Sequence, residues 1–283
     1  MQYSELHCIT NFTFLRGASH PYELVNTASK LGYKALAITD ECSLSGIVKA
    51  HVAASKKNLQ LIIGSEFKIE SHKIIILVTN RDSYSKLSSL ITLARRRSKK
   101  GKYQIRWSDL KFNNDGLLIL WIPCGDLTKD TLIASQLHEW FDQRLWIAFH
   151  NVLNGNETCR LSYLQNLSIS WKIQIVACGD IHMHRKNRQL LQDTLTAIRE
   201  GCSLMELGKF RYPNCERYLR KINYLKEIYP SELINETTKI SRLCRFSLNE
   251  LHYEYPLEVI PKNLTSKEYL HFLVNNGARK RWP

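Results

Sequence analysis

The chain has 283 residues, 44% apolar and 23% charged, a globular mixture that excludes a disordered or low-complexity polymer. Lys and Arg number 40 against 26 Asp and Glu, so the net charge is +14, which suits a polyanionic partner such as nucleic acid or an acidic membrane surface. No apolar run approaches the ~18 residues of a membrane span. The start, MQYSELHC, lacks the basic-then-apolar pattern of an export signal. Eight cysteines include no CxxC pair, which argues against a zinc ribbon and for reduced thiols in the cytoplasm.

Taken in chain order, short β-branched runs alternate with helix-like stretches. A strand is expected over Ser4–Cys8. A helix follows from Pro21, whose fixed φ suits a first helical position, with Glu23 in its first turn. Leu24, Val25, Ala28 and Leu31 repeat at helical spacing, and Gly32 is a natural stop. Further strands are expected over Ala35–Thr39, Leu61–Phe67, Ile74–Val78, Leu117–Ile122, Leu145–Phe149 and Ile173–Cys178. Helices are expected over about Ser45–Lys57 and Tyr84–Arg97. The strands alternate poorly, as parallel strands buried on both faces do. Seven strands interleaved with helices predict an α/β fold, either a barrel or a doubly wound sheet.

The character changes after Gly208, where Arg211–Tyr212–Pro213 reads as a break. Residues 1–208 are expected to form the α/β domain and 209–283 a helical segment. In the latter, Ser231 is a cap candidate, Pro256 and Pro261 bracket a turn, and a last helix runs from Ser266.

Chemistry-bearing residues recur just after or within the strands. They are His7, Asp40 and Glu41, Glu66, then Asp180 and His182, with His184 beyond. In a parallel barrel the C-terminal strand ends meet on one face. Carboxylates and imidazoles gathered there are ligands for zinc, manganese or iron, and paired metals could clamp a phosphate ester. Any one of them could equally be structural; Asp40, for instance, could cap a helix.

Four stretches carry a resemblance: Glu5–Ser19, ALAITDECSLSGIVKA, IIGSEF and CGDIHMHRKNRQLLQDTLTAIREG. They resemble the PHP (polymerase and histidinol phosphatase) domain of bacterial family C DNA polymerases, of the polymerase III alpha type. Within that family they resemble the error-prone branch used in damage tolerance. CRFSLNELHYEYP and NGARKRWP resemble the link from that domain towards the palm. The resemblance implies a distorted (β/α)7 barrel followed by a helical segment, with a metal cluster at the strand ends. It maps that cluster onto His7, Asp40, Glu41, Glu66, Asp180 and His182.

The mapping is depleted. Ile9 stands where a second His belongs, Glu41 replaces a His, and Lys73 falls on another. A further family His falls near Val152, with His150 out of register. The expected cofactor is therefore at most a weakly or partly bound zinc, manganese or iron. Magnesium belongs to the full-length polymerase, whose palm carboxylates have no counterpart before Pro283. No catalytic residue is assigned.

The resemblance implies the N-terminal domain of a DNA polymerase acting in replication and translesion repair, unable to polymerise alone. DNA, the rest of the polymerase and damage-response proteins are the implied partners, with no membrane. Two other readings stay open: a free-standing metal-dependent phosphoesterase, and a basic DNA- or protein-binding module. For the latter the candidate contact is the run Arg95, Arg96, Arg97, Lys99, Lys100 and Lys102, which could also be a solvated helix end.

Overall fold

The computed structural model describes residues 2–112, 114–252, 260–261 and 263–282. Met1–Glu250 form one compact unit and Leu251–Pro283 a second. The expected division at 208/209 falls inside the first unit, and Pro256 lies outside the described residues.

Seven strands lie in chain order in one sheet: β1 (Ser4–Glu5), β2 (Ala35–Ile38), β3 (Gln60–Ile69), β4 (His72–Val78), β5 (Leu117–Ile122), β6 (Leu145–His150) and β7 (Gln174–Cys178). All neighbours pair parallel except around β4, which runs antiparallel to both β3 and β5. The expectation of parallel strands throughout is corrected at this point. Only Glu70 and Ser71 separate β3 from β4, and Glu70 takes a φ of +54°. Two residues close a hairpin, whereas a parallel crossover needs about a dozen. The reversal brings the first residues of β4 to the rim where the parallel strands end.

β1 is shorter than expected because, after Glu5, the chain keeps only the backbone bond from the Thr39 amide to the Cys8 carbonyl, at 2.8 Å, on the β2 side and otherwise pairs across the barrel. The Ile9 amide donates to the Ile181 carbonyl at 2.9 Å, and the Ile181 amide to the His7 carbonyl at 3.0 Å. This bridge joins the ends of the sheet and nearly closes it into a barrel.

Strand alternation sorts side chains into two layers. Leu6, Ala35, Ala37, Ile62, Ile75, Leu77, Leu120 and Val176 fill the inside. Leu36, Ile38, Ile63, Phe67, Ile74, Ile76, Ile119 and Ile147 meet the helices outside. Each fully buried Leu or Ile contributes roughly 1.5–3 kcal/mol, so both faces of the sheet favour closure. The outer helices are α1 (Pro21–Lys30), α2 (Ile47–Ala54), α3 (Arg81–Arg96), α4 (Leu127–Phe141), α5 (Glu157–Trp171) and α6 (Gln189–Glu200). In α1, Pro21 is the first residue and Glu23 accepts the His20 amide at 2.9 Å. Leu24, Val25 and Ala28 face inward, and Gly32 takes a φ of +76°.

Residues 209–250 belong to the same unit as the barrel. They carry α7 (Ile222–Ile228) and α8 (Ser231–Leu243). α8 packs on β1 and β7, and Ile240 and Cys244 join the inner cluster. The Ser4 amide donates to Thr237 Oγ1 at 3.2 Å, and the Trp146 indole to Glu236 at 3.0 Å. α8 thus covers the seam between first and last strands at the ends where the parallel strands begin. Its N-cap position is Pro230, so Ser231 is its first residue rather than the expected cap.

In the second unit, α9 (Ser266–Arg281) starts as expected, with Thr265 accepting the Glu268 amide. Among the described residues no helix is long and apolar enough to cross a membrane.

Candidate functional site

The rim where the parallel strands end collects the predicted chemistry. His7 follows β1, Glu66 lies in β3, His150 ends β6, and Asp180 and His182 follow β7. His7 sits at the centre. Its Nε2 is 2.7 Å from Glu66 Oε2, and its Nδ1 is 3.1 Å from His150 Nε2 and 3.6 Å from Asp180 Oδ1. His182 Nε2 lies 3.2 Å from Asp180 Oδ1. His7, Glu66 and Asp180 each offer a ligand atom within 4.8 Å of the others. The spacing of Gly64 and Glu66 has a steric origin: a Cβ on Gly64 would meet the Ile76 carbonyl oxygen at 2.5 Å. Asp180 takes a φ of +48°, a left-handed conformation that Asp tolerates better than most residues.

Three cations of the chain occupy the same rim. Arg16, from the loop after β1, pairs with Glu41 and reaches Glu66 Oε1 at 2.5 Å. Lys73, at the start of the reversed β4, places Nζ 3.4 Å from Glu66 Oε2. Arg217, from the segment before α7, donates to Asp180 Oδ2 at 2.7 Å and lies over the Tyr212 ring. Tyr103 donates to Glu41 Oε1 at 2.9 Å. Three carboxylates therefore face three cations.

The electrostatics follow that balance. Burial pushes the Glu66 carboxyl up, but Lys73 and Arg16 outweigh it and hold it well below the usual carboxylate range. Burial likewise works against ionised Asp180, and Arg217, His182 and Lys73 hold it well below its ordinary value. Burial opposes the Lys73 ammonium, yet Glu66 and Asp180 keep its pKa raised. The histidines respond in the other direction. Burial drives His150 well below its ordinary value and His182 down to about 4, despite the nearby Asp180.

Not every predicted residue joins this cluster. Asp40 turns away and organises the loop after β1. Its Oδ1 accepts from the Thr10 amide and the Thr13 hydroxyl, both at 2.7 Å, and its Oδ2 from the Thr10 hydroxyl at 2.8 Å. His184 neither joins the site nor faces solvent; it is buried, with Nδ1 2.8 Å from Ser19 Oγ. His150, expected to be out of register, reaches His7, whereas Val152 contributes a backbone oxygen to Asn214. Ile9 is fully buried and offers no donor atom from its side chain.

Arg16, Arg217 and Tyr103 were not singled out by sequence reading. Arg217 lies 37 residues beyond Asp180, a separation that no local motif encodes.

His7, Glu66 and Asp180 have metal-ligand composition, but in this arrangement their ligand atoms are engaged within the chain. A metal needs free lone pairs converging on one point. Here Glu66 and Asp180 are already engaged by three cations, and His7 bonds through both ring nitrogens. Of the rim atoms of His7, Glu66, His150, Asp180 and His182, His182 Nδ1 is buried without a partner, and one lone pair does not make a site. A second group, His72, Cys124 and Asp130, also has metal-ligand composition. Its carboxylate is likewise satisfied, by His72 at 2.9 Å, Tyr163 at 2.6 Å and the Cys124 and Gly125 amides at 2.8 Å.

The basic run divides. Arg95 donates to the Cys42 and Glu41 carbonyls and lies over Tyr103. Arg97 makes a two-point pair with Asp109. Arg96, Lys99, Lys100 and Lys102 are exposed.

Comparison with known proteins agrees with this architecture. Residues 5–143 match the PHP domain family. The chain is 46% identical over 283 residues to the error-prone DNA polymerase of Methylococcus capsulatus, covering 99% of this chain and 27% of that protein. It is also 46% identical over 284 residues to the error-prone DNA polymerase of Saccharophagus degradans, covering 100% of this chain and 28% of that protein. The chain thus spans little more than a quarter of these curated relatives. Among solved structures, a protein of Bifidobacterium adolescentis named as a metal-dependent phosphoesterase aligns with a TM-score of 0.50 at 17% identity, over 80% of this chain and 95% of that one. That likeness concerns the fold. This chain carries a PHP domain and is homologous along its whole length to the N-terminal region of error-prone DNA polymerases.

Proposed function

We propose that this chain is the non-catalytic PHP domain of an error-prone DNA polymerase, and that its strand-end site braces the barrel with ion pairs instead of binding metal. One observation carries the reading: Glu41, Glu66 and Asp180 are each paired with a cation of the chain itself, Arg16, Lys73 or Arg217. Metal-dependent phosphoester hydrolysis requires an ion that activates water and neutralises the phosphate. A rim whose carboxylates are already neutralised has no comparable affinity for such an ion. The phosphoesterase reading is accordingly the weaker one.

The rest of a polymerase is the principal partner in this proposal, and replication and damage-tolerant synthesis are its setting. DNA is a further proposed partner, for which Arg96, Lys99, Lys100 and Lys102 remain available on the surface. The cytoplasm is the proposed location, consistent with eight cysteines that form no disulfide.

Elemental analysis of purified protein, with a phosphatase assay in manganese, tests the reading. The expected result is far less than one equivalent of zinc, manganese or iron and no turnover above background. Stoichiometric metal retained through dialysis, or manganese-dependent turnover abolished by Glu66→Gln, would overturn it.

A further inference from the structure

Away from the rim, α1 and α2 lie side by side and enclose a shallow groove. Its floor is Val48 and Val52, one helical turn apart on α2, which are 62% and 52% exposed. Tyr22 of α1 forms one wall and is 51% exposed. Lys49, Lys56 and Lys57 rim it, all exposed. None of the lining residues is acidic, and the three lysines make no ion pair among the described residues. The nearest carboxylate on α1, Glu23, is occupied by Arg188 and the His20 amide.

Tyr22 brings a ring pair to the edge of the groove, although its partner His20 is not among the lining residues. Tyr22 stacks on the exposed ring of His20 with 5.5 Å between centroids and 9° between planes. The Lys49 ammonium is held 5.2 Å from the centre of the Phe12 ring. Flat rings beside uncompensated lysines are the two elements that hold single-stranded nucleic acid: bases stack, and phosphates meet cations. A duplex offers its phosphates but keeps its bases out of reach of such a stack. An acidic peptide would satisfy the lysines and leave the ring pair unused.

We propose that the groove between α1 and α2 binds single-stranded DNA, with a base on the His20–Tyr22 stack and phosphates on Lys49, Lys56 and Lys57. This rests on the polymerase reading for its biological setting only. The surface is distinct from the loop of Lys99, Lys100 and Lys102 and from the ion-paired rim.

Fluorescence anisotropy of a labelled 12-nucleotide oligo(dT) with the full 283-residue chain tests it. Binding should weaken with salt, and Lys49→Gln with Lys56→Gln and Lys57→Gln should reduce the slope of log affinity against log salt by about 2. Tyr22→Ala should weaken binding roughly ten-fold, and Tyr22→Phe should restore it. Unchanged thermal unfolding would show that these exposed substitutions leave the fold intact. Three results would overturn the proposal. They are no binding to oligo(dT), binding indifferent to the lysine triple, and binding lost with the lysines but untouched by Tyr22→Ala. The last describes a charge patch that poly-glutamate would occupy as well. A separate Lys99→Gln, Lys100→Gln, Lys102→Gln variant tests the loop contact, so the two DNA readings fail independently. Neither outcome bears on the metal measurements.

Discussion

Replacing Arg16 with Met is the most direct test of the ion-paired rim. Met keeps much of the volume and removes the guanidinium that joins Glu41 to Glu66. Glu66 is buried, its side chain only 2% exposed, so its carboxylate cannot turn to water for compensation. At the observed 2.5 Å, and with an effective dielectric constant of about 20, the gross attraction is about 7 kcal/mol. Much of that is offset by desolvation of both groups. Removing one partner of a buried pair costs roughly 3–5 kcal/mol, because the other charge is left behind. Glu66 keeps Lys73 at 3.4 Å and His7 at 2.7 Å, which argues for the lower end, about 3 kcal/mol. For a unit of this size that lowers Tm by about 6–12 °C. Glu66→Gln should cost less, since Arg16 retains Glu41 and Lys73 is partly open to solvent. The double variant should therefore be more stable than the sum of the single effects implies, by about 1.5–3 kcal/mol. Urea unfolding at pH 7.5 in EDTA gives all four corners of the cycle. A change below about 0.5 kcal/mol for Arg16→Met, or a null coupling, refutes the reasoning.

Two further outcomes follow from the same geometry. Burial lowers the His182 pKa to about 4, so below its ordinary value the unfolded chain takes up the proton first and stability falls with pH. Between pH 7 and pH 5 this residue alone should cost about 2 kcal/mol, a loss absent in His182→Gln; parallel slopes for both proteins in denaturant titrations would contradict it. Asp40→Ala strands the Thr10 amide and the Thr10 and Thr13 hydroxyls, and should cost about 3 kcal/mol in urea unfolding. A near-neutral result would mean that the loop satisfies those groups in another way.

Much of the barrel was readable because its strands are short, apolar and β-branched, and burial on both faces leaves that mark directly in composition. The direction of β4 left no such mark. Side chains alternate in parallel and antiparallel strands alike, and the usable signal was the short link between Phe67 and Ile74, too brief for a crossover. The end of the first unit was misplaced for a related reason. Residues 209–250 read as helical, and helical periodicity does not reveal that Ile240 and Cys244 complete an inner cluster formed by strands far back in the chain. The site showed the same limit. His7, Glu66, Asp180 and His182 were legible because each follows or lies in a strand, where position along the chain determines position on the rim. Arg16 and Arg217 come from irregular segments, whose reach is set by three-dimensional packing rather than by spacing.

The cations at the rim make sense as a set rather than singly. Without a cation beside them, Glu66 and Asp180 would be buried negative charges, which is unfavourable for any fold. The barrel needs positive charge at that point whether or not it performs chemistry. Lys73 stands on a strand that already reaches the rim, so an ammonium there supplies charge without rebuilding the backbone. Arg16 and Arg217 arrive from the two loops that flank the seam at Ile9 and Ile181, and each ties its loop to a carboxylate. The amides of His182 and Met183 both donate to the Arg217 carbonyl, at 3.0 and 3.2 Å, so the residue that neutralises Asp180 also fixes the segment that carries it. Charge balance and closure of the barrel are therefore one requirement, and a substitution that introduces a single His without removing a cation should destabilise the rim rather than create a metal site.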